Sequence, residues 1–224
     1  MSRQLKLTRE LVSKLPATIT DPGPIADIAH LQTDEAIAER MAAALAARPA
    51  GDVWVFAFGS LIWNPGVPVA ERRNARMKGW QRSFCLGPDT RYRGNPDNPG
   101  LMLSLEQGGQ CDGVALRLPN EDLDSMLLLL FTREPPIPPV WRKAQTEGGP
   151  ISVLAFVAPE EGFGYVGELS LDEIATQITH AVGMFGNMPD YVLNTVEQLE
   201  AAKLHDPMMW ELQALLAQRL EALP

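Results

Sequence analysis

The chain has 224 residues, 46% of them hydrophobic, with a formal net charge of −9 and a pI near 4.9. That length supports one substantial core and is short for two. The acidic balance excludes the basic face that a nucleic-acid binder or a protein held on anionic lipid requires, so neither partner is expected.

The first 33 residues carry the cluster Asp21-Pro22-Gly23-Pro24 and are expected to form a short helix followed by a loop. Thr33 caps a predicted helix that opens on Asp34 and Glu35 and stops at Pro49 and Gly51. Residues 1–51 are thus an N-terminal helical extension, and 52–224 form the main domain. Val53 to Phe58 is short, aromatic and β-branched, as a strand buried on both faces should be. Gly59 ends it, and Ser60 to Gly66 reads as a functional loop. A second strand is expected over Ala75 to Leu86, then a long loop from Gly87 to Gly100.

Leu101–Leu105 and Val114–Leu118, around Gly108-Gly109, predict a β-hairpin. The helix that follows is apolar nearly all round through Met126–Phe131 and is expected to be deeply buried. It ends at Arg133-Glu134, because the prolines from 135 onward cannot continue it. Strands near 140–146 and 151–158 precede helices at about 171–183, 189–201 and 207–222. Strands with one central helix, then a helical C-terminus, indicate an α+β fold.

No apolar run approaches a membrane span, and the opening MSRQLKLTREL has no apolar stretch behind its charges. With two cysteines, Cys85 and Cys111, no disulfide framework is expected, and one bridge between them, though possible, has no support in the sequence. These signs favour the cytoplasm. The three histidines, His30, His180 and His205, form no ligand-spaced pair, so no metal is expected, and no cofactor-binding motif is present.

Three features carry chemistry. The Gly59-Ser60 turn either aims successive backbone N–H groups at an anion or is only a tight turn. Glu134 closes an apolar helix beside Phe131, Pro135 and Pro136, which would raise its pKa. An ion pair with Arg133 explains it equally well. Arg91 and Arg93 lie in a loop stiffened by proline and glycine, suited to an anionic ligand or to plain solvent exposure.

Together these pieces resemble the ChaC-type γ-glutamylcyclotransferases. The run Val53-Trp54-Val55-Phe56-Ala57-Phe58-Gly59-Ser60-Leu61-Ile62-Trp63-Asn64-Pro65 is similar to the family pattern VWVFGYGSLIWNP. Gly79-Trp80, Arg82 to Leu86, Arg93-Gly94-Asn95-Pro96, Pro99-Gly100, Gly113 to Pro119, Arg133-Glu134 and Tyr191-Val192 follow in family order. The resemblance implies a small mixed β-barrel flanked by helices, without a cofactor. It implies a γ-glutamyl small-molecule substrate, with cleavage of glutathione to 5-oxoproline and Cys-Gly. Glu134 would be the base. Val55, Phe56, Ala57, Phe58, Gly59, Ser60, Leu61, Arg93 and Tyr191 would bind substrate. Phe58 and Val140 stand where the family carries tyrosine. Action on other γ-glutamyl compounds, or ligand binding without turnover, are therefore the alternatives.

Overall fold

The computed structural model describes residues 4–159, 164–167 and 169–224. In chain order the strands are β1 (Trp54–Ala57), β2 (Glu71–Asp89), β3 (Gly100–Arg117), β4 (Val140–Thr146), β5 (Gly149–Ala155), β6 (Val182–Gly183) and β7 (Gly186–Asn187). The helices are α1 (Arg9–Val12), α2 (Ala26–Ala29), α3 (Asp34–Ala46), α4 (Leu123–Arg133), α5 (Leu171–Ile178), α6 (Met188–Ala201) and α7 (Pro207–Glu221). The first five strands close a barrel in the order β1-β3-β2-β4-β5. Closure gives each of these five strands a neighbour on both sides, while β6 and β7 pair as a separate two-stranded sheet. The expected α+β barrel flanked by helices is what the chain forms.

The chain divides into two compact units, one of residues 25–83 and 104–162, the other of 1–24, 84–103 and 163–224. In the first unit, β1 lies antiparallel to β3 in a register running from Trp54↔Arg117 to Ala57↔Val114, and parallel to β5 through Val55↔Leu154. All four β1 residues are buried, so both faces of the strand are covered, as its apolar sequence requires. Gly113 on β3 lies against Phe56: a Cβ there would sit 2.5 Å from the Ala57 carbonyl oxygen and 2.9 Å from the Phe56 ring. The Thr33 hydroxyl caps α3 by accepting from the Ala36 N–H at 3.2 Å. Phe131 on α4 meets Phe156 edge-to-face at 5.6 Å.

The second unit is organised on α7, against which α1, α5 and α6 pack. Met209, Leu212, Leu216 and Leu220 form its buried face at helical spacing. Gln213, 1% exposed, accepts the backbone N–H groups of Lys6 and Leu7 at 3.0 and 2.9 Å. The N-terminal segment is thereby fixed to the helical face.

Three sequence expectations need correction. The segment expected as a hairpin instead forms one continuous strand, β3 (Gly100–Arg117), paired with the similarly long β2. Gly108 and Gly109, at φ +134° and +40°, make room for the Gln81 side chain rather than turn the chain. The helix expected over 171–183 stops at Ile178. Gly183 then passes so close to Tyr92 that a Cβ would lie 2.3 Å from its carbonyl carbon. Met184 and Phe185 donate backbone hydrogen bonds to Arg91 and Tyr92 at 2.9 and 2.7 Å instead of extending the helix. Finally, α4 is buried on one face only, with Leu128 and Leu129 46% and 57% exposed.

Gly113→Ala should lower stability by about 1–3 kcal/mol through overpacking against Phe56. A drop in the urea midpoint at constant m reports it. An unchanged midpoint would mean that β3 can move away from β1 at no cost.

Candidate active site

The barrel unit gathers one constellation around the end of β1. Gly59 leads a single 3-10 turn, Ser60–Ile62, after which the chain continues to the Asn64-Pro65-Gly66 bend. The Gly59 carbonyl accepts from Ile62 at 3.0 Å, and the Ser60 carbonyl from Trp63 and Asn64 at 3.1 and 2.7 Å. The carbonyls are thereby turned inward along the turn. The N–H groups at its head are the ones that a helical turn leaves without an internal partner.

Guanidinium groups hold this turn from three directions. Arg82 Nε donates to the Phe58 carbonyl at 2.8 Å. Arg72 Nη1 donates to the Ile62 carbonyl at 2.8 Å. Arg133 donates from Nη2 to Ser60 Oγ at 3.0 Å and from Nη1 to the Asn64 carbonyl. Gly66, at φ +70°, leaves the space that Arg133 occupies, since a Cβ there would meet its Nη1 at 3.0 Å.

Arg133 also reaches Glu134. Its Nε lies 3.6 Å from Glu134 Oε1. Glu134 caps α4 in extended conformation, φ −74° and ψ 158°, because Pro135 denies the preceding residue the helical region. The chain therefore leaves the helix axis at Glu134. Its side chain is 14% exposed. Loss of solvent pushes the carboxyl up from the ordinary 4.5 to about 7, against the opposing pull of the Arg133 charge. Both local readings of Glu134 therefore hold at once: it pairs with Arg133, and burial still dominates. The arrangement is a carboxyl able to exchange a proton near neutrality, linked through one arginine to the hydroxyl of the Gly59-Ser60 turn.

The other expected site residues fall as follows. Val55, Phe56 and Ala57 are at most 1% exposed, inside the barrel ladder. Phe58 is 7% exposed and stacks on Phe56 at 6.4 Å, and Leu61 is buried. Val140, half-buried, pairs with Ala155, and the adjacent Trp141 donates to the Ala44 carbonyl at 2.8 Å. In the other unit Arg93 lies over the Tyr191 ring at 5.0 Å and donates to the Asn187 carbonyl at 3.2 Å. Arg91, by contrast, is paired with Asp21 through two 2.8 Å contacts. Asp89, 1% exposed, accepts the backbone N–H groups of Arg91, Tyr92 and Arg93. Cys85 and Cys111 are buried thiols and not a disulfide. Arg82 entered the sequence reading only as the start of the motif Arg82 to Leu86, without a role, and Arg72 did not enter it.

A raised carboxyl pKa has a stability signature. The folded protein holds the extra proton between about pH 4.5 and 7, so this contribution is present at low pH and lost as pH rises through that window. The stability of Glu134→Gln relative to the native chain should therefore grow by about 2–3 kcal/mol from pH 5 to pH 8. Urea unfolding of both proteins at the two pH values measures it, and a difference that stays constant contradicts the raised pKa.

Comparison with known proteins places the chain in a family. The model of ChaC-like proteins matches residues 53–219. A glutathione-specific γ-glutamylcyclotransferase of Escherichia coli K12 is 35% identical over 181 residues, covering 79% of this chain and 78% of that protein. The human glutathione-specific γ-glutamylcyclotransferase 1 is 30% identical over 156 residues, covering 66% and 70%. The crystal structure of a yeast γ-glutamyl cyclotransferase specific to glutathione superposes with a TM-score of 0.61 at 20% identity, over 76% of this chain and all of that one, which shows the shared fold. With the family model spanning most of the sequence and its motifs in the same order, the chain belongs to the ChaC-like family.

Proposed function

We propose that the protein is a lyase that cleaves glutathione to 5-oxoproline and Cys-Gly, with Glu134 as general base. The observation that carries this reading is the buried Glu134 carboxyl, raised to about 7 and joined through Arg133 to the Gly59-Ser60 turn. The E. coli and human relatives, named as glutathione-specific γ-glutamylcyclotransferases, support the choice of substrate.

The chemistry asks little of the protein beyond placement and proton transfer. The substrate's α-amine attacks its own γ-carbonyl, forming the ring C–N bond. The bond to the cysteine nitrogen then breaks, and that nitrogen leaves as an amine. Because nucleophile and electrophile share one molecule, folding the γ-glutamyl chain into an attacking conformation supplies much of the acceleration. The α-amine has a pKa of about 8 and is mostly protonated at neutral pH, so it must lose a proton first. A carboxyl titrating near 7 is well matched to accept that proton and return it to the leaving nitrogen. Charge then builds on the γ-oxygen, where the N–H groups heading the turn serve as donors. Arg133 accepts no proton. Its donation occupies a lone pair of Ser60 Oγ and leaves the hydroxyl hydrogen to point at the ligand.

The substrate roles of Arg93 and Tyr191 belong to the same proposal. Their support is the sequence resemblance, together with the stacking of the Arg93 guanidinium on the Tyr191 ring, which holds the cation in one orientation. A second reading, action on γ-glutamyl amines other than glutathione, is favoured by Phe58 and Val140 at the two family tyrosine positions. The same assay separates the two when run on a panel of γ-glutamyl dipeptides.

Incubation with glutathione should yield equal amounts of 5-oxoproline and Cys-Gly. Glu134→Gln should lose about 10²–10⁴-fold in kcat. The acid limb of the native kcat/KM–pH profile, which reports groups of the free protein, should lie near 7. In Arg133→Met it should move to higher pH, because the charge that opposes the burial effect is gone. Activity retained in Glu134→Gln removes Glu134 as base. No product from any γ-glutamyl substrate removes the cyclotransferase reading.

A further inference from the structure

Arg82 sits within β2 at 6% exposure. A guanidinium at that depth is costly to the fold unless its donors are used. Nε donates to the Phe58 carbonyl and Nη2 to the Asp112 carbonyl, both at 2.8 Å. Both acceptors are main-chain oxygens, one just past the end of β1 and the other on β3. Asp112 is held from its side chain as well, by Arg76 at 2.6 and 2.9 Å. The planar fork of Arg82 therefore joins two segments whose relative position sets the start of the Gly59-Ser60 turn.

The link from this strut to chemistry is the peptide bond between Phe58 and Gly59. Among the described residues the cis peptide bond is Gly87–Pro88, so the Phe58–Gly59 bond is trans. In a planar trans peptide the C=O and N–H vectors point in opposite directions. Holding the Phe58 oxygen on a buried guanidinium therefore aims the Gly59 N–H away from Arg82. Gly59 itself is buried, so that N–H has little freedom to find another direction.

We propose that Arg82 is a positioning residue for the reaction: by fixing the Phe58 carbonyl it aims the Gly59 N–H at the oxyanion that forms when the α-amine adds to the γ-carbonyl. This rests on the reading of the turn as the oxyanion-binding element. A plain structural strut would act on stability, or on kcat and KM together. An aiming role acts on the transition state and leaves ground-state binding nearly untouched.

The test is the kinetics of Arg82→Met and Arg82→Lys with glutathione, beside circular dichroism and urea midpoints for each. Misaiming one oxyanion donor should lower kcat about 10- to 100-fold in the Met variant while KM moves less than about threefold. The Lys variant, which keeps a charge but not the fork, should fall between Met and native in kcat at the same KM. If the Met variant does not fold, the Lys variant decides: a kcat loss of at least about threefold at constant KM supports the proposal. Any folded variant with native kcat, or with its loss expressed in KM, overturns it. An inactive native protein sinks the cyclotransferase reading and this proposal with it. An active native protein with an equally active Arg82→Met variant sinks this proposal alone.

Discussion

The segment from Phe58 to Asn64 is held by donors that come from elsewhere in the chain. Its carbonyls at Phe58, Ile62 and Asn64 and its one hydroxyl, Ser60 Oγ, accept from Arg82, Arg72 and Arg133. A turn this short makes few hydrogen bonds of its own. Left to itself it would exchange among conformations, each exposing a different set of N–H groups. Charged donors give hydrogen bonds stronger than neutral ones. Three arginines arriving from two elements (two from β2, one from the end of α4) leave the turn one arrangement.

Arg133 has a second task that conflicts with the first part of the site's chemistry. Its charge lies 3.6 Å from the Glu134 carboxyl and stabilises the anion, which on its own would make a weaker base. Burial acts the other way and prevails, leaving the carboxyl near 7. The balance depends on backbone geometry as much as on charge. Pro135 forces Glu134 out of the helical region just as α4 ends, so the carboxyl leaves the helix axis and stays paired with Arg133, which also holds the turn. A helix continuing through residue 134 would place the same two side chains on successive positions facing different ways.

Much of this was visible in the sequence, for identifiable reasons. β1 and the turn after it are contiguous, so their composition alone announces a buried strand and a break. The end of α4 is announced by its prolines. The anchors on β2 were not visible: Arg82 and Phe58, for one, are 24 residues apart and meet only through the pairing of long strands. Gly108-Gly109 imitated a hairpin turn, whereas what the fold needs there is room for Gln81. The burial of α4 was overestimated from its composition, since Leu128 and Leu129 face away from the barrel unit's core. In the other unit, the run after Ile178 read as helix, and it is the backbone of Arg91 and Tyr92 that draws residues 184 and 185 into a hairpin. The misses at Arg82, at Gly108-Gly109 and after Ile178 each involve a partner distant in sequence.

The central claim is that one carboxyl is tuned by burial against an adjacent arginine. It is tested most directly by following the carboxyl carbon of Glu134 in ¹³C-glutamate-labelled protein across a pH titration, with Glu134→Gln identifying the resonance. The account predicts a midpoint near 7 in the folded protein. A midpoint at the ordinary value of about 4.5 would contradict it, since Glu134 would then be no more than the surface partner of Arg133.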